Sequence, residues 1–208
     1  MRRAGRDRPP LVIAHRGASA ARPENTLSAF ALALEQGADM IELDLHRTRD
    51  GALVVAHDES LERLGGTGEI GAATLVEIRA LDAGEGEKVP TLDEVLDRFG
   101  GRIALNLELK RGVAADYPGL ERAVLDAVEA RGLLDQALFS SFSDPILRRL
   151  RARSRAARIG VLVSPRAPEC WLERARVVDA ESVHFWVGLV NEDVVGAAHA
   201  AGLGVLVY

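Results

Sequence analysis

The sequence predicts a parallel α/β fold, a TIM-type (β/α) barrel, from two observations. Short apolar runs recur along the 208 residues, and helix-like segments separate most of them. Such alternation indicates a parallel sheet, and this many units favour a barrel over an open doubly wound sheet. The open sheet is the rival, but the glycine-rich loops G-x-G-x-x-G and Walker A are missing. The strand-like runs lie at 11–14, 40–45, 53–56, 103–109, 137–140, 159–163, 182–187 and 204–208.

Helix signals stand between these runs. Apolar residues at i, i+3, i+4 and i+7 from Leu27 predict the first helix, and Gly37 marks its end. Side chains that accept hydrogen bonds from free amides mark further helix starts. The predicted caps are Asn25 or Thr26, Thr91 with Glu94, Asp144 ahead of Pro145, and Asn191.

One connection breaks the alternation. Only residues 46–52 separate the second and third strands, which is too short for a crossover helix. We therefore expect a tight connection that brings His57 back beside Asp44. The segment at about 59–88 has weak periodicity and is predicted to be a short insertion at the mouth of the barrel, either a lid or a plain surface loop.

The composition and charge of the chain restrict its domain organisation, partners and location. No linker divides the chain, so 1–208 is interpreted as one domain. The net charge of −5 and the lack of a basic stripe argue against nucleic acid as a partner. The sequence shows no apolar run long enough for a signal peptide or membrane span, and its single cysteine, Cys170, fits a reducing compartment. A cytoplasmic location is expected.

Three carboxylates point toward the same space. Strand side chains alternate, so Glu42 and Asp44 share one face of the second strand, and Glu108 lies on the corresponding face of the strand at 103–109. Unpaired carboxylates near a barrel rim would be costly, and a divalent cation would remove that cost. Because all the ligands are oxygens, they suit Mg²⁺ or Ca²⁺ rather than zinc.

Two histidines and two cations complete a candidate site for phosphoryl chemistry. His15 and His57 each follow an apolar strand, and imidazoles can act as an acid-base pair near neutral pH. The three carboxylates carry a charge of about −3, a divalent ion about +2, and Arg16 with Lys110 about +2, so the site has a net charge of about +1. A phosphodiester, with a charge of about −1, nearly neutralises it. A structural role remains the alternative for any single strand-end histidine or charge.

Other polar and aromatic residues are less informative. His46 is an undecided rim residue, His184 either lines the pocket or packs, and His199 is interpreted as a helix-surface residue. Trp171 is expected to pack, whereas the position of Trp186 is left open.

The motifs resemble the glycerophosphodiester phosphodiesterases. Residues 15–30 read HRGASAARPENTLSAF, and residues 36–58 read QGADMIELDLHRTRDGALVVAHD. Further similar segments are PTLDEVL at 90–96, NLELK at 106–110 and SSF at 140–142. The resemblance implies a TIM-type barrel that hydrolyses glycerophosphodiesters to glycerol 3-phosphate and an alcohol, with one divalent cation, Mg²⁺ or Ca²⁺.

The resemblance also implies residue roles, carried over position by position. By it, His15 and His57 are the general acid and base, Arg16 and Lys110 contact substrate, and Glu42, Asp44 and Glu108 bind the metal. Glu24 and Asn25 fall in the PENT element, which we interpret mainly as the cap of the first helix.

The chain departs from the family pattern at its end. Members usually continue with a W-T-V-N type sequence, a helix and a final strand, but Tyr208 stands where the tryptophan is expected. We expect a barrel without its C-terminal closing element. The chain would then be a fragment, a homo-oligomer that covers the incomplete edge, or an open barrel. One alternative function is a lysophospholipid or phosphoinositol phosphodiesterase, which an apolar or aromatic rim in 59–88 would favour, but that stretch is polar and glycine-rich. Another is a non-catalytic phosphate-ester binding fragment, against which the intact His15 and His57 argue.

Overall fold

A computed structural model describes residues 9–208 as strands and helices in alternation. The strands are β1 (Ile13–His15), β2 (Met40–Arg47), β3 (Leu53–Val55), β4 (Ala104–Leu109), β5 (Ala137–Ser141), β6 (Arg158–Val163), β7 (Ser182–Phe185) and β8 (Gly204–Val207). The helices are α1 (Leu27–Glu35), α2 (Leu75–Arg79), α3 (Leu92–Phe99), α4 (Leu120–Glu129), α5 (Asp144–Arg153), α6 (Trp171–Val177) and α7 (Glu192–Ala200). Short 3₁₀ turns occupy Glu62–Leu64, Ile70–Ala72, Leu134–Gln136 and Val187–Leu189.

One curled sheet holds all the strands. Its order is β1-β2-β4-β5-β6-β7-β8 with every pair parallel, and β3 alone is antiparallel, on β2. Within residues 9–208, β1 and β8 are the two edges and do not pair, so the sheet does not close on itself. The predicted barrel architecture is confirmed in this incomplete form.

β1 and β3 pair with the same edge of β2, and this arrangement determines where the site forms. β1 pairs with the first half of β2, up to His15 opposite Glu42, whereas β3 pairs with the second half, from Leu45 to Arg47. β4 pairs with the other edge of β2 from Met40 to Leu45. β1 and β3 therefore run toward each other along one edge, and the residues after each strand meet beside Asp44, as the short connection predicts.

The outer face of the sheet packs against the helices. On β2 the outward side chains of Ile41, Leu43 and Leu45 are fully buried in the main core, where Phe30 of α1 meets Phe99 of α3 edge to face with centroids 5.9 Å apart. Alternation then turns Glu42, Asp44 and His46 to the inside of the curled sheet.

The predicted caps at Thr26, Thr91 and Asn191 accept hydrogen bonds from their helices. The prediction for Asp144 is wrong by one residue. Ser143 is the N-cap, and Asp144 is the first helical residue, whose carboxylate instead accepts a 2.7 Å hydrogen bond from Arg174. The seventh strand ends at Phe185, and a 3₁₀ turn follows it at 187–189.

The segment 59–88 has a hydrophobic core of its own. Leu61, Ile70 and Ile78 are buried together with Val54 of β3 and Val89. Thr74 and Glu77 form a capping box for α2, a signal that the sequence interpretation missed. No helix within residues 9–208 is both long and apolar enough to cross a membrane.

Candidate functional site

The three acidic side chains converge at the carboxyl end of β2 and β4. Asp44 stands opposite Glu108 in the register, and Glu42 lies two residues earlier on β2. Each offers a carboxylate oxygen, and these oxygens all lie within 4.8 Å of one another. All three residues are buried, with exposed fractions of 6% for Glu42, 1% for Asp44 and 7% for Glu108. Packed this closely, the carboxylates repel one another unless a cation lies between them.

A left-handed turn after β1 delivers Arg16 to the acids. Arg16 has a φ of 57° and Gly17 a φ of 80°. The Arg16 amide donates a 3.0 Å hydrogen bond to Glu42 Oε2, and its Nε lies 3.5 Å from Asp44 Oδ2. A Cβ at position 17 would lie 2.8 Å from the backbone of Ala29, so only glycine fits between this turn and α1.

Asn25 belongs to this site and is not the helix cap. Thr26 caps α1, while Asn25 has a φ of 59°, is 3% exposed and donates a 2.8 Å hydrogen bond from Nδ2 to Asp44 Oδ2. Glu24 accepts from Arg16 at 2.9 Å. The PENT element therefore orients charged groups of the site, which corrects the interpretation of Glu24 and Asn25 as mainly a cap.

Lys110 balances two of the carboxylates. Its Nζ lies 2.9 Å from Asp44 Oδ1 and 2.7 Å from Glu108 Oε1. Against the opposing effect of burial, these two carboxylates raise the pKa of Lys110. Burial favours the neutral acid at Asp44, but Lys110 and the Asn25 amide outweigh it and lower the pKa of Asp44. Lys110 therefore stays charged and holds Asp44 ionised.

At Glu42 and Glu108, nearby positive charges and hydrogen bonds do not offset the effect of burial. Burial raises the pKa of Glu108 to about 7, and burial with the neighbouring Asp44 raises the pKa of Glu42. Glu42 Oε1 is buried without a hydrogen-bond partner in the described part of the chain. A buried carboxylate oxygen without a donor is costly, and carboxylate oxygens are ligands that suit a hard cation such as Mg²⁺ or Ca²⁺. The three residues therefore fit a divalent metal.

His57 follows β3 and is held by its neighbour. Its Nδ1 lies 2.5 Å from Asp58 Oδ1, and because a carboxylate accepts, Nδ1 carries the hydrogen of this bond. Arg63, in the 3₁₀ turn at 62–64, contacts Asp58 at 3.3 Å and Glu24 at 2.8 Å. These ion pairs join the turn after β1 to the loop after β3. Arg63 carries no signal of such a role in the sequence.

His15 approaches the acids from the end of β1. Its side chain is about half exposed, and its Nε2 lies 3.9 Å from Glu42 Oε2. Partial burial and the guanidinium of Arg16 lower the pKa of His15, so the imidazole is neutral at neutral pH.

The histidines left undecided by sequence are buried. His46 is fully buried on β2, where its Nδ1 lies 2.8 Å from the Tyr117 hydroxyl and its Nε2 3.2 Å from the carbonyl oxygen of His57. His184 is 2% exposed and bonds Ser182 at 3.0 Å. Burial lowers the pKa of both histidines to about 4. His199 is exposed on α7, as predicted.

The aromatic side chains divide between core and rim. Trp171 packs edge to face on Phe185 at 5.4 Å, as expected. Phe142, Trp186 and Tyr208 follow β5, β7 and β8 and keep 41%, 45% and 37% of their surface exposed. Aromatic residues therefore line the carboxyl rim on the β5 to β8 side.

Comparisons with known proteins point to one family. The model of the "Glycerophosphoryl diester phosphodiesterase family" matches residues 15–208. A "Glycerophosphodiester phosphodiesterase" of Caldanaerobacter subterraneus subsp. tengcongensis is 40% identical over 196 residues, which is 89% of this chain and 80% of that protein. A protein with the same description from Bacillus subtilis is 40% identical over 64% of this chain, and the match spans only 52% of its length.

A solved structure also shares the fold. A phosphodiesterase from Oleispira antarctica, determined in complex with the product sn-glycerol-3-phosphate, is 35% identical with a TM-score of 0.84. The match covers 96% of this chain and 84% of that one.

Proposed function

The chain belongs to the glycerophosphoryl diester phosphodiesterase family, and on this premise we propose that it hydrolyses glycerophosphodiesters to glycerol 3-phosphate and an alcohol with one divalent cation. The observation that carries the proposal is the buried cluster of three carboxylates, with His15 beside Glu42 and with His57 directly after Ala56, whose amide donates to the Asp44 carbonyl oxygen. A phosphodiesterase needs a site for the phosphate charge and groups that move protons, and these residues supply both.

Glu42, Asp44 and Glu108 would hold Mg²⁺ or Ca²⁺. The bound cation would polarise the phosphorus and stabilise the charge that develops on the phosphate oxygens. Asn25 keeps one oxygen of Asp44 directed, and the Arg16 amide does the same for Glu42. Glu42 Oε1, which has no hydrogen-bond partner within residues 9–208, supports this assignment.

Arg16 and Lys110 would bind the phosphodiester. Arg16 already lies between Glu24 and Asp44, and Lys110 between Asp44 and Glu108. A divalent ion would offset part of the carboxylate charge that now pairs with these cations. Their hydrogen-bond capacity would then be available to the phosphate oxygens.

The two histidines would move the protons. The lowered pKa of His15 favours a neutral imidazole that can accept a proton from the attacking hydroxyl. The hydrogen bond from His57 Nδ1 to Asp58 orients the ring and leaves Nε2 to protonate the departing alkoxide. Paired proton transfer of this kind contributes about 10²-fold to 10⁴-fold in rate per group.

The test is release of glycerol 3-phosphate from glycerophosphocholine by the purified chain. We expect release with Mg²⁺ or Ca²⁺, no release with EDTA, and loss of at least about 10²-fold in His15→Ala. His199→Ala is the matched control, because it removes an exposed imidazole far along the chain on α7. A folded protein without metal-dependent release, or a His15→Ala variant with full activity, would contradict the proposal.

A second candidate substrate class is the lysophospholipids. The exposed Phe142, Trp186 and Tyr208 at the carboxyl rim favour it, since aromatic surface there could contact an acyl chain. Phe142 and Tyr208 already meet edge to face at 6.0 Å. This rim lies on the β5 to β8 side, not in 59–88. Faster hydrolysis of lysophosphatidylcholine than of glycerophosphocholine would support the second candidate.

A further inference from the structure

A buried histidine lies behind the candidate acid-base residue His57. His46 follows Asp44 by two residues on β2, and its side chain is fully buried beneath the loop that carries His57. Its Nε2 lies 3.2 Å from the carbonyl oxygen of His57, and its Nδ1 lies 2.8 Å from the hydroxyl of Tyr117. Both ring nitrogens therefore have partners from different parts of the chain.

The partners fix the hydrogen positions on this ring. A backbone carbonyl can only accept, so His46 Nε2 must carry the hydrogen that it donates to the carbonyl of His57. In the neutral ring Nδ1 then has a lone pair, and the Tyr117 hydroxyl donates to it. The result is a chain of two hydrogen bonds, in which the Tyr117 hydroxyl orients the His46 ring and the His46 ring orients the backbone of His57.

Tyr117 itself is held in place. It is 7% exposed, and its ring packs edge to face on His46 with centroids 5.6 Å apart. A Cβ at Gly71 would lie 2.9 Å from the Tyr117 ring, so the glycine in the 59–88 segment makes room for it. Arg47, the next residue of β2, donates to the carbonyl of Pro118 and anchors the same loop. The hydroxyl is thus presented from a constrained position.

We propose that His46 and Tyr117 are positioning residues that set the orientation of His57 for proton transfer. The proposal rests on the proposed function of His57. The two residues reach the reaction only through the His57 carbonyl, because in the described chain neither hydrogen-bonds to the acid cluster. Their loss should therefore slow turnover while leaving substrate and metal binding intact.

Steady-state kinetics separate these effects. In His46→Leu we expect kcat for glycerol 3-phosphate release to fall about tenfold, a fraction of the full acid-base contribution, with KM and calorimetric Ca²⁺ affinity within about twofold of wild type. Tyr117→Phe removes one hydroxyl and should lower kcat about threefold. His46→Gln can donate to the carbonyl and accept from the tyrosine, so it should recover most of the activity.

A second readout does not depend on activity. The ring signals of His57 in NMR spectra of ¹⁵N-histidine-labelled protein should shift or broaden in His46→Leu and Tyr117→Phe, and return in His46→Gln. The matched control is His184→Leu, which removes another buried, hydroxyl-bonded histidine. That variant should lower the melting temperature but leave kcat and the His57 signals unchanged.

These experiments distinguish failure of the proposed function from failure of the positioning role. An inactive wild-type protein would refute the proposed function, and the NMR comparison would still decide on positioning. Unchanged His57 signals in both Tyr117→Phe and His46→Leu would overturn the positioning role. So would a fall in kcat accompanied by an equal loss of Ca²⁺ affinity, because that pattern indicates general disruption of the site.

Discussion

Replacing Glu108 by glutamine should stabilise the metal-free protein at neutral pH. Burial raises the pKa of Glu108 from 4.5 to about 7 in the folded chain. Between these two pH values the folded state keeps a proton that the unfolded state has released, so rising pH lowers the free energy of unfolding. At about 1.4 kcal/mol for each pH unit, this amounts to about 3 kcal/mol by pH 7.

Glu108→Gln removes this titration with little change of shape. Lys110 keeps its 2.9 Å contact with Asp44, so the variant does not leave a buried ammonium unpaired. We therefore expect equal stability of the two proteins near pH 4, and a variant more stable by about 2 to 3 kcal/mol at pH 7 in EDTA.

Urea unfolding followed by circular dichroism from pH 4 to 8 measures the difference. Only the difference between the two proteins is informative. The lowered pKa values of His46 and His184, both about 4, make the stability of each protein rise with pH up to the ordinary histidine value of 6.5. A divalent ion should reverse the order, because wild type gains binding free energy that the variant has lost with a ligand. Equal stability at pH 7 in EDTA would refute the reasoning, since Glu108 would then ionise at no cost.

Three further predictions concern the groups around the acid cluster. EDTA should lower the melting temperature of wild type but hardly that of Glu42→Gln, and equal losses would argue against a metal at Glu42. Asn25→Ala should lower the free energy of unfolding, measured in urea, by about 2 kcal/mol, because the buried Asp44 loses a hydrogen-bond donor. Asn25→Gly is the control for the left-handed backbone, and an equal loss there would assign the effect to the missing amide. Gly17→Ala should lower the free energy of unfolding, measured by thermal unfolding, by about 3 kcal/mol. Gly37 also has a positive φ, 79°, but open space where a Cβ would lie, so Gly37→Ala should lower it by only about 1 kcal/mol. Similar losses in the two variants would contradict the steric argument.

Local patterns predicted the elements that depend on nearby residues. The Thr91 capping box acts over three residues, and the alternation along β2 assigns Glu42 and Asp44 to one face without knowledge of any other strand. The Asp144 cap was misplaced by one residue because Ser143, with an extended backbone, occupies the N-cap position, and the Asp144 carboxylate instead accepts from Arg174, 30 residues along the chain.

The amino-acid sequence by itself determined the barrel-type architecture, the acid cluster and the two flanking histidines. Each follows from strand periodicity and from the rule that parallel strands end at one edge. Tertiary structure alone decided the contacts of Asn25, His46 and Arg63. Their partners Asp44, Tyr117 and Glu24 lie 19, 71 and 39 residues away, so the contacts depend on how the turns after β1, β3 and β4 approach one another. Side-chain hydrogen bonds across such distances are set by packing, which no local pattern encodes.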